Sequence, residues 1–173
     1  IGIVRISGEN AISIADRVFS SFNGKKLCEI PGYSALYGKA YDNKGNIDNV
    51  VALVFKAPKS YTGEDVVEIS CHGGLFVTDK VLKAVYDAGA VPAEAGEFTK
   101  RAFLNGKMDL TSAESVMNII SAQGEQAEKI ALGVLEGRLF KEIKKINDKL
   151  VYDLALLSAW VDYRSEERRV GKE

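Results

Sequence analysis

The sequence predicts an α+β protein in which an N-terminal mixed or antiparallel sheet with packed helices is followed by long helices of an incomplete helical bundle. Up to residue 110, short apolar or alternating segments are separated by Gly, Pro and Asn turn signals, as is typical of strands and short helices. From residue 111 onward no proline occurs, and apolar residues recur at steps of three and four. The predicted boundaries are 1–110 for the sheet domain, 111–163 for the first part of a helical domain, and 164–173 for an atypical tail.

The chain opens with a predicted strand and a predicted helix. Ile1 to Ile6 has strand composition and ends at the turn pair Ser7–Gly8. A helix is predicted from Asn10 to Phe22, because apolar residues recur every four positions and Asn23–Gly24 is a helix-stop signal. This helix is amphipathic and is expected to pack on the sheet.

A hairpin and a further strand are predicted next. Tyr33 to Tyr41 alternates between apolar and polar residues, the turn Asp42–Asn46 follows, and Val50 to Phe55 is a continuous apolar run. These segments predict an antiparallel hairpin. Val66 to Cys71 predicts another short strand.

The sheet domain then closes with a helix and an edge segment. A helix is predicted from about Leu75 to Asp87, with Gly89 ending it. Ala90 to Ala93 is predicted as a last edge strand, because Pro92 has no amide hydrogen to give to an interior ladder.

Two helices are predicted in the second half of the chain. Thr111 or Ser112 is expected to cap the first, which runs to about Ala122, and the second is expected to run from about Glu125 to Asp162. The second helix carries one apolar stripe that needs partner helices. The stripe consists of Leu132, Leu135, Leu139, Ile143, Ile146, Leu150, Leu157 and Trp160.

Charge and cysteine usage exclude several classes of function. Lys and Arg total 23 against 24 for Asp and Glu, so the net charge of -1 gives no global attraction to nucleic acid or to an anionic membrane. Cys28 and Cys71 form no Cys-x-x-Cys motif and fit a reducing cytoplasm. No run approaches the roughly 18 apolar residues of a membrane span. Since Ile1 already reads as part of a strand, we expect the native start to lie upstream.

Polar residues crowd the segment from Ser60 to Asp109, which indicates a ligand site. If Val66 to Ser70 is a strand, Glu68 points away from Val67 and Ile69. Such a carboxylate can accept two parallel N–H bonds from an amino-heterocycle, or it can simply face solvent. The pattern alone leaves both interpretations open.

Three cations are candidates to join this site. Arg5 alternates with apolar residues and reaches the same side of the sheet in one interpretation, or lies on the surface in another. Arg101 and Lys107 flank the turn Asn105–Gly106, where glycine allows close approach of a ligand. Two cations there suit a carboxylate or phosphate, although a charged loop is an equal alternative.

The single histidine does not predict a metal centre. His72 follows Cys71 directly, and neighbouring strand residues point to opposite faces, so the two make a poor chelating pair. The segment His72–Gly74 favours a tight strand-to-helix turn, or backbone amides for an anion. No Gly-Lys pair in the chain is followed by Ser or Thr, so a phosphate-binding loop for GTP is not expected.

Several ordered motifs together resemble a known family. Gly2–Gly8, Ser60–Asp65, His72–Gly74 and Gly96–Leu110 are similar to the N-terminal part of the tRNA modification GTPases known as MnmE or TrmE, and the similarity covers about Ile1 to Tyr163. The resemblance implies a homodimeric N-terminal domain akin to the folate-binding fold of aminomethyltransferases. It also implies a helical domain that, in the family, is interrupted by a Ras-like G domain.

The resemblance further implies an activity and its cofactors. With a flavin- and NADH-dependent partner protein, the family installs an aminomethyl or carboxymethylaminomethyl group on carbon 5 of the tRNA wobble uridine in the cytoplasm. A tetrahydrofolate derivative, 5-formyl- or 5,10-methylene-, would supply the one-carbon unit, while GTP, Mg²⁺ and K⁺ would serve only the full-length protein. Two alternatives stay open: a free-standing folate-dependent one-carbon transferase, and a dimerisation module that uses no ligand.

Site residues follow from the resemblance position by position. Arg5, Glu68 and Lys107 match the family's folate positions, and Glu64, His72 and Arg101 match motif positions nearby. No catalytic residue and no metal site is expected in this chain.

Three departures from the family limit what this chain is expected to do. We expect the family's segment before the first strand, its G domain and its C-terminal helices to be missing, so neither GTP hydrolysis nor complete tRNA modification is expected. Residues 164–173 do not resemble the acidic, proline-containing stretch of the family, so we predict a foreign tail there.

Overall fold

The computed structural model describes residues 1–170, with side chains described through residue 161. The chain divides into two compact units, one from Ile1 to Met108 and the other beginning at Asp109. Each unit is described by itself.

The first unit is built on a five-stranded sheet in which every neighbouring pair is antiparallel. Its strand order is β1-β5-β4-β3-β2. This sheet, with the helices that follow it, confirms the predicted α+β class. The strands are β1 Gly2–Ser7, β2 Phe19–Ser21, β3 Ser34–Asp42, β4 Gly45–Phe55 and β5 Val66–Cys71.

One face of the sheet carries the hydrophobic core. Helices α1 (Ala11–Asp16) and α2 (Leu75–Asp87) contribute to it, and a one-turn 3₁₀ helix at Leu27–Glu29 adds Leu27. Because side chains alternate along a strand, the residues between the core positions of β1 and β5 point to the other face. The core positions of these two strands and of β4 are Val4, Ile6, Val50, Ala52, Val54, Val67, Ile69 and Cys71.

Most of the predicted elements of this unit are confirmed, and the first helix is corrected. The hairpin is present, and β5 and α2 have the predicted bounds. The helix predicted from Asn10 to Phe22 ends at Asp16, and Phe19–Ser21 forms β2 against β3. A side chain at Gly38 of β3 would collide with the backbone of Ser20 and with the Phe19 ring, so glycine lets β2 pair here and bury Phe19.

Residues 90–104 also differ from the prediction. Ala90–Ala93, predicted as an edge strand, forms no strand and has no partner within the described sheet. A helix that the sequence did not reveal, α3 (Glu97–Leu104), follows Gly96, whose φ of 77° lies in the left-handed region. Ala102 is the one buried residue of α3.

The second unit consists of helices α4 (Leu110–Ile120), α5 (Glu125–Leu135) and α6 (Arg138–Val170). The predicted caps Thr111 and Ser112 are wrong, because Asp109 caps α4 by accepting a 2.9 Å bond from the Ser112 amide. The predicted helix from Glu125 to Asp162 is two helices, which break at Gly137 with a φ of 76°.

Helix α6 leaves its apolar side chains in solvent. Leu150, Leu157 and Trp160 are all exposed. Within the described chain, no helix is both long and apolar enough to cross a bilayer. The predicted tail at 164–173 falls on residues whose side chains lie outside the described part of the structure.

Candidate functional site

Arg5 and Glu68 form an ion pair on the face of the sheet that points away from the hydrophobic core, which we call the open face. Strands β1 and β5 are neighbours, and their register places Arg5 opposite Glu68. Nε and Nη2 of Arg5 both approach Oε1 of Glu68 at 2.7 Å. The prediction that Glu68 turns away from Val67 and Ile69 is confirmed, and Arg5 reaches the same side.

This ion pair keeps unused hydrogen-bonding capacity. In the described part of the chain, no protein group bonds to Nη1 of Arg5 or to Oε2 of Glu68. The side chains are 44% and 20% exposed, so a ligand can reach both. The pair therefore offers donors and an acceptor side by side, which suits a planar polar ring edge.

Phe98 of α3 lies next to the same arginine. Its ring centroid is 5.7 Å from Cζ of Arg5, within cation–π range. Phe98 and Arg5 also line a cavity of about 380 Å³ beside β1, together with Val4, Ile6, Glu97 and Arg101. Glu68 does not line this cavity.

A second ion-pair network surrounds Arg101. Its Nη1 lies 3.3 Å from both carboxylate oxygens of Glu64, while Nε and Nη2 donate to Glu97 Oε1 at 3.0 and 2.6 Å. Hydrogen bonding to Glu97 is the main cause of a raised pKa of Arg101, and the same bond lowers the pKa of Glu97. Arg101 and Glu97 are therefore held in their charged forms.

Two hydroxyl groups extend this network into the sheet. Ser7 Oγ donates to Glu64 Oε2 at 2.8 Å and lies 2.7 Å from Oγ1 of the fully buried Thr62. Strand β1 therefore contributes Arg5 to the first ion pair and, two residues later, Ser7 to the network.

Lys107 lies at the loop that carries Thr62 and Glu64. Its Nζ donates to the Pro58 carbonyl oxygen at 3.0 Å, and its side chain packs beside Gly63. Gly106 has a φ of 68°, which confirms the predicted tight turn at Asn105–Gly106. The side chain of Lys107 is exposed and long enough to move.

His72 is not brought together with the other candidates. Its Nδ1 and backbone amide both bond to the Asp48 carboxylate, each at 2.8 Å. His72 follows Glu68 by four residues along an extended segment, which places their Cα atoms ~13 Å apart. Burial raises the pKa of Asp48, but the bonds from His72 and Asn49 outweigh it, and the net shift is downward.

Sequence reasoning missed Phe98, Ser7, Thr62 and Asp48. Phe98 and Thr62 lie inside the motifs that carry the resemblance, but nothing in the residue pattern indicated which face they occupy. Among the described residues, no group of three or more His, Cys, Asp or Glu side chains is arranged to hold a metal ion.

Comparison with known proteins adds two family matches. A family described as "GTP-binding protein TrmE N-terminus" matches residues 1–107, and one described as "MnmE helical domain" matches residues 110–173.

Curated relatives match along nearly the whole chain. The tRNA modification GTPase MnmE of Clostridioides difficile (strain 630) is 45% identical over 167 residues, which is 96% of this chain and 36% of that protein. The protein of the same name from Alkaliphilus metalliredigens (strain QYMF) is 47% identical over 169 residues, 96% of this chain and 37% of that protein. A third, from Geobacillus kaustophilus (strain HTA426), is 46% identical and covers 94% and 36%. The chain thus spans little more than a third of these relatives.

Proposed function

The chain belongs to the MnmE family of tRNA modification GTPases, and we propose that residues 1–108 bind a tetrahydrofolate derivative. The observation that carries this proposal is the Arg5–Glu68 ion pair, which is partly exposed and retains a free acceptor and free donors.

The residues fit the pterin ring of a folate. A pterin presents an amino group and a ring N–H side by side, and the free Oε2 of Glu68 can accept from one of them, with Oε1 taking the other once Arg5 turns toward the ligand. Next to these donors the pterin carries a carbonyl oxygen, which the free Nη1 of Arg5 can serve. Glu68 would hold the amino edge while Arg5 orients the ring.

Lys107 would bind a carboxylate of the folate tail. Its present partner is a neutral carbonyl oxygen on an exposed loop, so exchange for a carboxylate gains a charge-assisted bond at little cost. Glu64, Arg101 and His72 stay candidates around this site, although the structure separates His72 from the rest.

The relatives, which are named tRNA modification GTPases, support a proposal for the role of the whole protein. We propose that the bound folate, as 5-formyl- or 5,10-methylene-tetrahydrofolate, supplies the one-carbon unit for an aminomethyl or carboxymethylaminomethyl group. This group would be installed on carbon 5 of the tRNA wobble uridine. A flavin- and NADH-dependent partner, GTP, Mg²⁺ and K⁺ would act with the full-length protein in the cytoplasm.

Homodimer formation is a further part of the proposal. The open face of the sheet exposes the apolar side chains of Ile3, Tyr37 and Val51, and such a patch supports association. Sedimentation velocity should show a dimer whose population rises with chain concentration, whereas a monomer at every concentration would contradict it.

The folate proposal is tested by calorimetric titration with 5-formyltetrahydrofolate. The chain should bind about one ligand per protomer, and Glu68→Gln should weaken binding by more than tenfold because it removes the charge and one acceptor. Asp87→Asn is the matched control, since it neutralises an exposed carboxylate on α2 away from the pair. Equal affinity in Glu68→Gln and the parent chain would refute the assignment.

A further inference from the structure

The two Arg–Glu clusters of the first unit differ in how many of their hydrogen-bonding atoms already have a protein partner. Arg5 and Glu68 share a single carboxylate oxygen, so the other oxygen is available to a ligand. Both oxygens of Glu64 are engaged by Arg101, and Oε2 also accepts from Ser7. Glu64 therefore has little capacity left for a ligand.

Arg101 is engaged in the same way. Its Nε, Nη1 and Nη2 are all directed at Glu64 or Glu97. A guanidinium that is held on both sides by carboxylates is poorly placed to recognise a third anion. The geometry indicates that these groups bind each other.

Helix α3 depends on this network for its position. Ala102 is the one residue that the helix buries, so hydrophobic burial anchors it weakly. Side-chain hydrogen bonds and ion pairs provide the other contacts that hold α3 in place. Besides Arg101 with Glu64, Thr99 Oγ1 lies 2.9 Å from the Tyr61 hydroxyl group, and Asn105 at the helix end donates to the Thr62 carbonyl oxygen at 2.7 Å.

The same helix carries Phe98 against Arg5. Glu97 and Arg101, which the network holds, lie on either side of Phe98 along α3. Fixing these two residues fixes the ring beside the arginine that pairs with Glu68.

We propose that Glu64 and Arg101 are positioning residues, which fasten α3 so that Phe98 stays beside the Arg5–Glu68 pair. They would serve folate binding through the helix rather than by touching the ligand. This inference rests on the proposed function of Arg5 and Glu68.

The test combines ligand affinity with amide hydrogen exchange of α3. Arg101→Gln and Glu64→Gln should each weaken binding of 5-formyltetrahydrofolate roughly tenfold, and should speed exchange of the α3 amides in the ligand-free chain. Exchange of the β4 and β5 amides should be unchanged, which shows that the rest of the first unit stays folded. Lys100→Gln is the matched control, because it removes a neighbouring exposed cation from the same helix and should change neither quantity.

The double variant separates positioning from contact. Because both residues act through one connection, Glu64→Gln with Arg101→Gln should bind about as weakly as the weaker single variant. Losses that multiply would indicate two independent ligand contacts and would overturn the inference. So would lost affinity with unchanged exchange of α3, or faster exchange with unchanged affinity.

The conservative variant Arg101→Lys gives a second readout. Lysine cannot bridge Glu64 and Glu97 with a planar fork, so α3 exchange and affinity should be only partly restored relative to Arg101→Gln. Full recovery of affinity with α3 still loosened would indicate a direct point-charge contact to the ligand and overturn the inference.

Glu68→Gln distinguishes failure of the inference from failure of the proposed function. If it abolishes binding while the Arg101 and Glu64 variants bind normally, the folate site holds and the positioning role is refuted. If Glu68→Gln binds like the parent chain, the proposed function fails, and the positioning role fails with it.

Discussion

The two units of the chain differ in how much of their apolar side chains is exposed to solvent. In the first unit Val54, Val67 and Ile69 are all 0% exposed, whereas in α6 Leu157 is 60% and Trp160 80% exposed. Burial of apolar surface is the main favourable term in folding. The first unit is therefore stabilised by its core, and α6 in this chain depends on local terms.

Those local terms are individually small. Lys145 and Glu142, three residues apart, form one exposed ion pair along α6, and such pairs contribute about 0.2–0.5 kcal/mol. At the start of the second unit the Asp109 cap contributes more, because its carboxylate accepts bonds from the Ser112 amide and hydroxyl and from Thr111. Truncating an apolar side chain should therefore lower the free energy of unfolding much more in the first unit than in α6.

The largest expected effect is a cavity in the first unit. Ile69→Ala should lower the free energy of unfolding of the sheet by about 2–5 kcal/mol, because a fully buried side chain is truncated. Hydrogen exchange of the β4 and β5 amides in increasing urea measures this directly. Leu157→Ala is the counterpart in α6 and should stay within about 0.5 kcal/mol of the parent chain. Equal losses in the two variants would break the comparison.

A smaller effect is expected at the start of the second unit. Asp109→Ala should lower the local stability of α4 by about 1–2 kcal/mol, because it leaves the Ser112 amide without its acceptor. Exchange of the first-turn amides of α4 reports this loss. Asn118→Ala, an exposed change on the same helix, should leave them unaffected. Unchanged exchange in Asp109→Ala would show that another group caps the helix.

The smallest expected effect is the pH dependence of that cap. Burial raises the pKa of Asp109, but bonds from Thr111 and Ser112 outweigh it and place the pKa below its ordinary value. Since the pKa is lowered on folding, the stabilisation is complete above about pH 4 and is lost as pH falls through the lower, folded-state value.

Asp109→Asn isolates this effect, since asparagine caps equally well but does not titrate. Exchange from α4, corrected for intrinsic rates, should accelerate toward low pH more in the parent chain than in Asp109→Asn. Identical pH profiles would assign the acid sensitivity of the unit to other groups.

Sequence reasoning succeeded where a single local pattern decides the structure. Period-two alternation correctly predicted that Glu68 lies on the other face of the sheet from Val67 and Ile69. The bounds of β5 and α2 also agree with the predictions. It failed where a distant contact decides. Phe19–Ser21 follows a helical pattern, but its partner β3 lies about 20 residues away.

The sequence indicated the candidate residues, but it did not indicate which of them contact one another. The pairing of Arg5 with Glu68 depends on the β1–β5 register, which no local pattern specifies. Arg101 was interpreted as flanking the turn at Asn105–Gly106, because α3 has only eight residues and no side-chain cap to mark its start. The bonds of His72 to Asp48, a residue 24 positions away, were likewise not indicated by any local pattern.

The two cysteines give the chain a single readily addressable thiol. Cys71 is buried in the sheet, while Cys28 is exposed on the 3₁₀ turn. Hydrogen bonding to Asp16 is the main cause of a raised pKa of Cys28, so a maleimide dye reacts with it more slowly at neutral pH than with an ordinary thiol. At mildly alkaline pH the dye would attach there first, and the folded chain can be labelled at one position without any cysteine having to be engineered.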